Sequence, residues 1–304
     1  MLRKTRIFVV IFFIISVLLF GGYTLIRAVT VDRTLPIIEM DSDEVTISVK
    51  GGDAAILEGI KASDEKDGDI TGNLFVESKS TFIEKGIFKA TIAVADSDNH
   101  VTKVERKVTY SDYRSPQFTL TEPLKFLTTR ENQNRDDLNI AESLRANDVV
   151  DGDISNKIKI SSEYSINGYT TGDSHMEFIV TNSMGDTSKL PVTVNIYSAL
   201  EESGLPEIIL SNYLINTPVG AGADIAALID QIEYHNETFR RGEDGNLYNG
   251  EFDAEGNPIM FDWSAIQIDT DADWNTPGVY EVKITFTDEA ANLSNFTRCY
   301  VVVY

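Results

Sequence analysis

The chain has 304 residues, 42% of them hydrophobic and 10% aromatic, with Asp plus Glu 48 against Lys plus Arg 26 and a net charge of −22. That apolar fraction excludes wholesale disorder, and the length exceeds what a single core usually supports. The acidic balance excludes nucleic acid or another polyanion as the main partner, because phosphate recognition needs clustered cations.

Residues Ile7 to Ile26 carry no charge. A helix of that length spans about 30 Å, the thickness of a bilayer's hydrocarbon core, so residues 7–26 are expected to cross the cell membrane. Arg3, Lys4 and Arg6 precede the stretch, whereas Arg27 and Arg33 behind it are partly offset by Asp32. By the positive-inside rule the amino terminus stays cytoplasmic, and the domains after the single pass are extracellular. The competing reading is a cleaved signal peptide, cut after Gly22 or Ala28, although the stretch is long for one and no A-x-A site follows.

Behind this leader, residues 1–33, the chain reads as three modules, 34–113, 114–199 and 200–304, each opened by a proline: Pro36, Pro116 and Pro206. In the first two, residues 62–74 (ASDEKDGDITGNL) and 146–158 (ANDVVDGDISNKI) repeat one another. The third lacks this element and carries instead an expansion from Glu233 to Pro258 with two turn signals, read as an inserted hairpin. Just ahead of it, Asp224 to Ile232 predicts a short helix or turn capped by Asp224. Each module closes on a glycine followed by period-two apolar positions: Gly86 with Phe88, Ala90, Ile92 and Val94; Gly172 with Met176, Phe178 and Val180; Gly278 with Val282, Ile284 and Phe286. Asp96, Asn182 or Asp288 then leads through a polar loop into a last strand, the pattern of a β-hairpin. The only cysteine, Cys299, lies in the last of these strands, so no intrachain disulfide can form and the thiol reads as packed and inert.

Short strands, frequent turns and no long helical pattern beyond the leader predict an all-β chain: an amino-terminal transmembrane helix followed by three tandem Ig-like antiparallel β-sandwiches. The pattern A-x-D-x-x-D-G-D-I-S/T, then a glycine, then a β-run ending in Asp or Asn, resembles the bacterial Ig-like repeat named after a pesticidal crystal toxin, with the hyalin-repeat group close to it. The resemblance covers Pro36–Tyr110 and Pro116–Tyr197, and in the third module only its opening and final hairpin. It implies an extracellular sandwich used as spacer or adhesion module, and it brings no catalytic residues.

Asp64, Asp67 and Asp69, repeated as Asp148, Asp151 and Asp153, form the densest cluster of chemistry. Three carboxylates within six residues could supply hard oxygens to calcium. Equally, Asp-Gly makes a tight turn whose flanking aspartates cap backbone amides, and the spacing departs from an EF-hand. The three histidines, His100, His175 and His235, fall in different modules, and no nucleophile elbow, zinc-protease or phosphate-loop motif occurs; the chain reads as non-catalytic. The third module's insertion presents Tyr234, Phe239, Tyr248, Phe252 and Phe261 with Arg240 and Arg241, either a partner-binding surface or a private small core. The expected role is a membrane-anchored cell-surface stalk for cell adhesion or protein interaction with an unidentified surface protein or glycan. The alternatives are a receptor or carbohydrate-binding module with its site in the third domain, or an assembly subunit of an envelope complex.

Overall fold

The computed structural model describes residues 2–30, 34–127, 143–161, 171–198 and 204–304. The leader forms a single helix, α1 (Leu2–Thr30). Its segment Arg6–Leu25 has a mean hydropathy of 2.5, with none of it buried, so it is long and apolar enough to cross a membrane. The side chains of Arg3, Lys4, Arg27 and residues 31–33, from which its orientation is read, lie outside the described residues, as does that of Ala28 at one of the two cleavage positions.

The rest is all-β and builds three Ig-like sandwiches. The chain divides into two compact units, Met1–Tyr113 and Arg114–Tyr304. In the first unit the strands are β1 (Ile37–Met40), β2 (Glu44–Ile47), β3 (Ile60–Asp64), β4 (Gly68–Asp69), β5 (Phe75–Lys79), β6 (Ile87–Ala95) and β7 (Val101–Tyr110). They form two facing sheets, β1-β3-β4 and β2-β7-β6-β5. A short helix, α2 (Gly52–Leu57), bridges β2 to β3. Strand β6 carries the alternation that forces this arrangement: Phe88, Ala90, Ile92 and Val94 are fully buried, while Lys89 between them is exposed.

The second unit holds the other two sandwiches. One is made of β8 (Gln117–Leu120), β9 (Lys125–Leu127), β10 (Leu144–Asp148), β11 (Gly152–Asp153), β12 (Lys159–Ile160), β13 (Gly172–Thr181) and β14 (Thr187–Tyr197), in sheets β11-β10-β8 and β12-β13-β14-β9. The last is made of β15 (Glu207–Leu210), β16 (Leu214–Thr217), β17 (Ile229–Tyr234), β18 (Glu237–Arg241), β19 (Leu247–Phe252), β20 (Pro258–Met260), β21 (Ile266–Thr270), β22 (Gly278–Asp288) and β23 (Leu293–Val303). Its sheets are β15-β17-β18-β19-β20 and β16-β23-β22-β21. Pairing is antiparallel except for one parallel contact in each sandwich, β2 with β7, β9 with β14 and β16 with β23. There a strand near the start of the module crosses over to the sheet that holds its last strand.

The expansion in the third sandwich is therefore two successive strand reversals, β18 to β19 and β19 to β20, that widen one sheet. Both reversals are built alike: the Gly242 amide donates to the Asn246 carbonyl and the Asp253 amide to the Asn257 carbonyl, each at 2.8 Å. Ahead of it, the Asp224–Ile232 segment makes only a 3-10 turn, Ala226–Leu228, with Asp224 accepting from the Ala227 amide at 3.2 Å. From Ile229 onward it is strand, because the β-branched Ile229 and Ile232 are fully buried on the sheet's inner face.

The second and third sandwiches share one continuous core, running from Phe118, Leu144 and Phe178 to Leu214, Ile284 and Tyr300. Polar bonds join them as well. The Tyr213 amide donates to the Leu120 carbonyl at 2.9 Å, Asn216 Nδ2 donates to the Phe118 carbonyl at 2.9 Å, and Arg298 grips Asp173 through both terminal nitrogens.

Candidate ligand-binding site

A corner at the end of each sandwich is built by equivalent residues. Register defines the equivalence: Ile37 pairs with Ser63, Gln117 with Asn147 and Glu207 with Glu233. Asp64, Asp148 and Tyr234 therefore occupy the same position, the last of an inner strand. Opposite them, at the end of the penultimate strand, stand Asp96, Asn182 and Asp288.

In the first two sandwiches the Asp-Gly-Asp turn closes this corner. Asp148 Oδ1 accepts from the amides of Val150 and Asp151, both at 2.9 Å, and Oδ2 accepts from Asn182 Nδ2 at 3.1 Å. Asp151 reaches over the neighbouring hairpin loop and accepts from the Ser183 amide at 2.7 Å, the Ser183 hydroxyl at 2.5 Å and Lys157 Nζ at 2.9 Å. Asp153 accepts from the Ser155 amide at 2.9 Å. The first sandwich repeats the turn and serine bonds: Asp64 holds the amides of Lys66 and Asp67, Asp67 holds the Ser97 amide at 2.8 Å and hydroxyl at 2.9 Å, and Asp69 holds the Thr71 amide at 2.9 Å. Gly68 and Gly152 sit at φ 73°, a left-handed value that explains glycine at both turns.

These bonds shape the electrostatics. Hydrogen bonds from Thr71 lower the pKa of Asp69, and those from Ser155 lower that of Asp153. For Asp151 burial pushes upward, but the Ser183 and Lys157 donors outweigh it and the net shift is down. The oxygens that calcium would need thus face the chain's own N–H and O–H groups. Among the described residues no group of three His, Cys, Asp or Glu side chains converges into a metal-holding set.

Replacing Asp151 by alanine strips the loop of these donors' acceptor and is expected to cost about 1–2 kcal/mol in urea unfolding, by the same amount in calcium and in chelator. A larger loss in calcium alone would show that the turn binds the ion. Acid provides a second check. The lowered carboxylates stabilise the fold fully above the unfolded aspartate value of about 3.9 and lose that contribution as pH falls through their lower folded values. The melting temperature is expected to hold steady near pH 5–7 and to drop below about pH 4.

The third sandwich keeps the corner and changes its chemistry. The Tyr234 hydroxyl donates to Asp288 Oδ2, in place of the Asn182–Asp148 bond. Its turn shrinks to His235 and Asn236, at φ 52° and 66°, the left-handed pair of a tight two-residue hairpin. With the longer turn goes the aspartate that would reach the hairpin loop. An open cleft of about 720 Å³ results. Its floor is apolar, formed by Tyr234, Phe239, Phe261 and Phe286; the three phenylalanines are nearly buried. Its rim is polar, with Asp262, Ser264, Gln267, Asp288 and Glu289. Asp262 is fixed by accepting from the Ser264 amide at 2.9 Å, a bond that lowers its pKa.

Of the residues singled out by sequence, Tyr234, Phe239 and Phe261 meet in this cleft. The others lie outside it. Tyr248 bonds Asp244 at 2.5 Å in the β18–β19 turn, and Arg240 Nε bonds Gln231 at 3.0 Å. Arg241 donates to the carbonyls of Ile229, Gly245 and Ala226 and lies 5.7 Å from the Trp263 ring centre, a structural clamp. Phe252 is 67% exposed near the β19–β20 turn. The rim residues Asp262, Ser264, Gln267 and Glu289 carry no motif; only Asp288 had a visible signal, its place at the hairpin end.

No protein-family model matches the chain, and no curated protein does. Solved structures that align with parts of the chain include the CBM51-2 module in complex with GlcNAc and INT domains of Clostridium perfringens ZmpB, at 18% identity over 48% of this chain and 29% of that one, TM-score 0.21. A lipoprotein of Bacteroides thetaiotaomicron aligns at 12% identity over 61% of this chain and 98% of its own, TM-score 0.21. Drosophila N-cadherin EC1-3 aligns at 10% identity over 90% of each chain, TM-score 0.28. The chain thus spans less than a third of the first of these structures.

Proposed function

We propose that this chain is a single-pass surface protein, anchored by α1 with its amino terminus in the cytoplasm, that binds a saccharide in the third sandwich and uses the other two as spacer modules. The observation that carries this reading is the cleft at Tyr234 and Asp288, an apolar aromatic floor ringed by hydroxyl, amide and carboxylate groups. Sugars present C–H faces that pack on apolar rings and hydroxyls that donate to carboxylates and amides, so this combination suits them. The acidic rim and the net charge of −22 disfavour anionic ligands. Asp262, kept ionised by the Ser264 amide, suits hydrogen-bond acceptance rather than proton donation, which supports binding without catalysis. The repeat resemblance of the first two sandwiches supports the spacer role.

The test is capture of the full chain, in detergent, on an array of neutral, amine-bearing and acidic saccharides, followed by calorimetry. Neutral sugars are expected to bind. Gln267→Ala, on an exposed edge strand, is expected to weaken them roughly 3–10-fold without changing the melting temperature. Failure of every saccharide to bind would remove the reading.

A further inference from the structure

We infer that the saccharide carries an acetamido group, whose carbonyl oxygen takes the position that Asp67 and Asp151 occupy in the first two sandwiches. The inference rests on the saccharide reading and goes further by naming the group recognised. In those two sandwiches the first amide of the hairpin loop is satisfied by a carboxylate: Ser97 donates to Asp67 at 2.8 Å and Ser183 to Asp151 at 2.7 Å. Glu289 follows Asp288 as Ser97 follows Asp96 and Ser183 follows Asn182, and it lines the cleft. The shortened His235-Asn236 turn brings no aspartate to it, and among the described residues no group accepts from its backbone N–H. At the residue where the sister sandwiches supply their own acceptor, the third thus leaves a backbone donor on a cleft-lining residue.

The surroundings choose among acceptors. A ligand carboxylate, sulfate or phosphate would stand beside Asp262, Asp288 and Glu289, whose like charge opposes it. A neutral amide carbonyl is the strongest acceptor free of that repulsion. An acetamido group also brings a methyl for the floor of Phe239, Phe261 and Phe286, and an N–H that the acidic rim can accept. A free amino sugar satisfies the carboxylates but offers the Glu289 amide only hydroxyl and ring oxygens, weaker acceptors than an amide carbonyl.

The test titrates the full chain in detergent with three neutral or basic trisaccharides: chitotriose, cellotriose and fully deacetylated chitotriose. Calorimetry is expected to show chitotriose binding about tenfold more tightly than cellotriose, and the Glu289 amide resonance of labelled protein is expected to move on chitotriose alone. Glu289→Gln keeps the amide and is expected to keep the preference. Glu289→Pro removes the N–H and is expected to bring chitotriose down to the cellotriose level; if that variant misfolds, the resonance shift decides. Equal binding of chitotriose and cellotriose, or tighter binding of the deacetylated sugar, would overturn the acetamido assignment while leaving the saccharide reading in place. Failure of all three, and of every saccharide on the array, to bind would take both away.

Discussion

Tyr300→Ala is expected to lower the stability of the Arg114–Tyr304 unit by about 3–5 kcal/mol and to separate the unfolding of its two sandwiches. Tyr300 sits in β23 at 1% exposure, among the largest fully buried side chains. Its hydroxyl donates to the Thr193 carbonyl at 2.7 Å and accepts from the Thr193 amide at 2.9 Å, so one side chain of the third sandwich satisfies both backbone groups of a buried residue in the second. Burial raises the phenol's pKa, which keeps it protonated and able to donate. Alanine removes the ring from the shared core and leaves both Thr193 groups without partners. Tyr300→Phe isolates the second effect: the ring stays, and the unpaired amide and carbonyl are expected to cost about 1–3 kcal/mol. Trp263 and Trp274 both lie in this unit, so tryptophan fluorescence during urea unfolding reads it directly. A phenylalanine variant as stable as the parent would show that the hydroxyl couples nothing.

That coupling could not be read from the repeats. Pro36, Pro116 and Pro206 and the glycines Gly86, Gly172 and Gly278 mark the modules because each copy must solve the same local problem, a stiff opening and a period-two hairpin, and the solution recurs in the residues. The contacts described between the second and third copies follow no such repeat. Tyr300 meets Thr193 and Arg298 meets Asp173 across more than a hundred residues, with no period to betray them. The cleft was half legible for a related reason. Its aromatic floor showed as ring-rich sequence near the expansion, which mixed Tyr234 and Phe239 with Tyr248 and Phe252, although the first pair faces inward and the second belongs to the added strands. What hid the corner was a change of residue type at a fixed position: Tyr234 lies as far beyond Pro206 as Asp64 lies beyond Pro36. That count links the first and third modules but not the second, where Asp148 lies farther beyond Pro116, so neither residue type nor spacing alone marks the corner in all three. For the Asp-Gly-Asp clusters the residues alone allowed both calcium and turn; the structure shows donors on those oxygens because Ser97 and Ser183, remote in sequence, come to meet Asp67 and Asp151.

Arg106→Ala is expected to destabilise the first sandwich by about 2–4 kcal/mol, a large effect for a residue with no acidic partner. Arg106 lies in β7 at 4% exposure, opposite the fully buried Ala90. Its Nη1 donates to the carbonyls of Ile56 and Glu58, both at 2.7 Å. Ile56 lies in the last turn of α2, a helix of 6 residues, and Glu58 is its C-cap; the last carbonyls of any helix lack internal partners. With Ile56 itself fully buried, water cannot readily serve them, so the guanidinium acts as the cap that lets so short a helix pack against the core. Alanine leaves a cavity and two orphaned acceptors; Arg106→Met fills most of the space and leaves only the orphans, so its loss is expected to be the smaller. Lysine restores the charge on a shorter side chain whose ammonium is not held at the position of Nη1, and is expected to fall between them. Circular dichroism of the full chain would follow the loss, and faster hydrogen exchange across Gly52–Leu57 would place it at α2. Both tryptophans belong to the other unit, so their fluorescence transition is expected to stay where it is. If methionine proved as stable as arginine, burial alone would account for the position, and the two carbonyl bonds would add nothing to the fold.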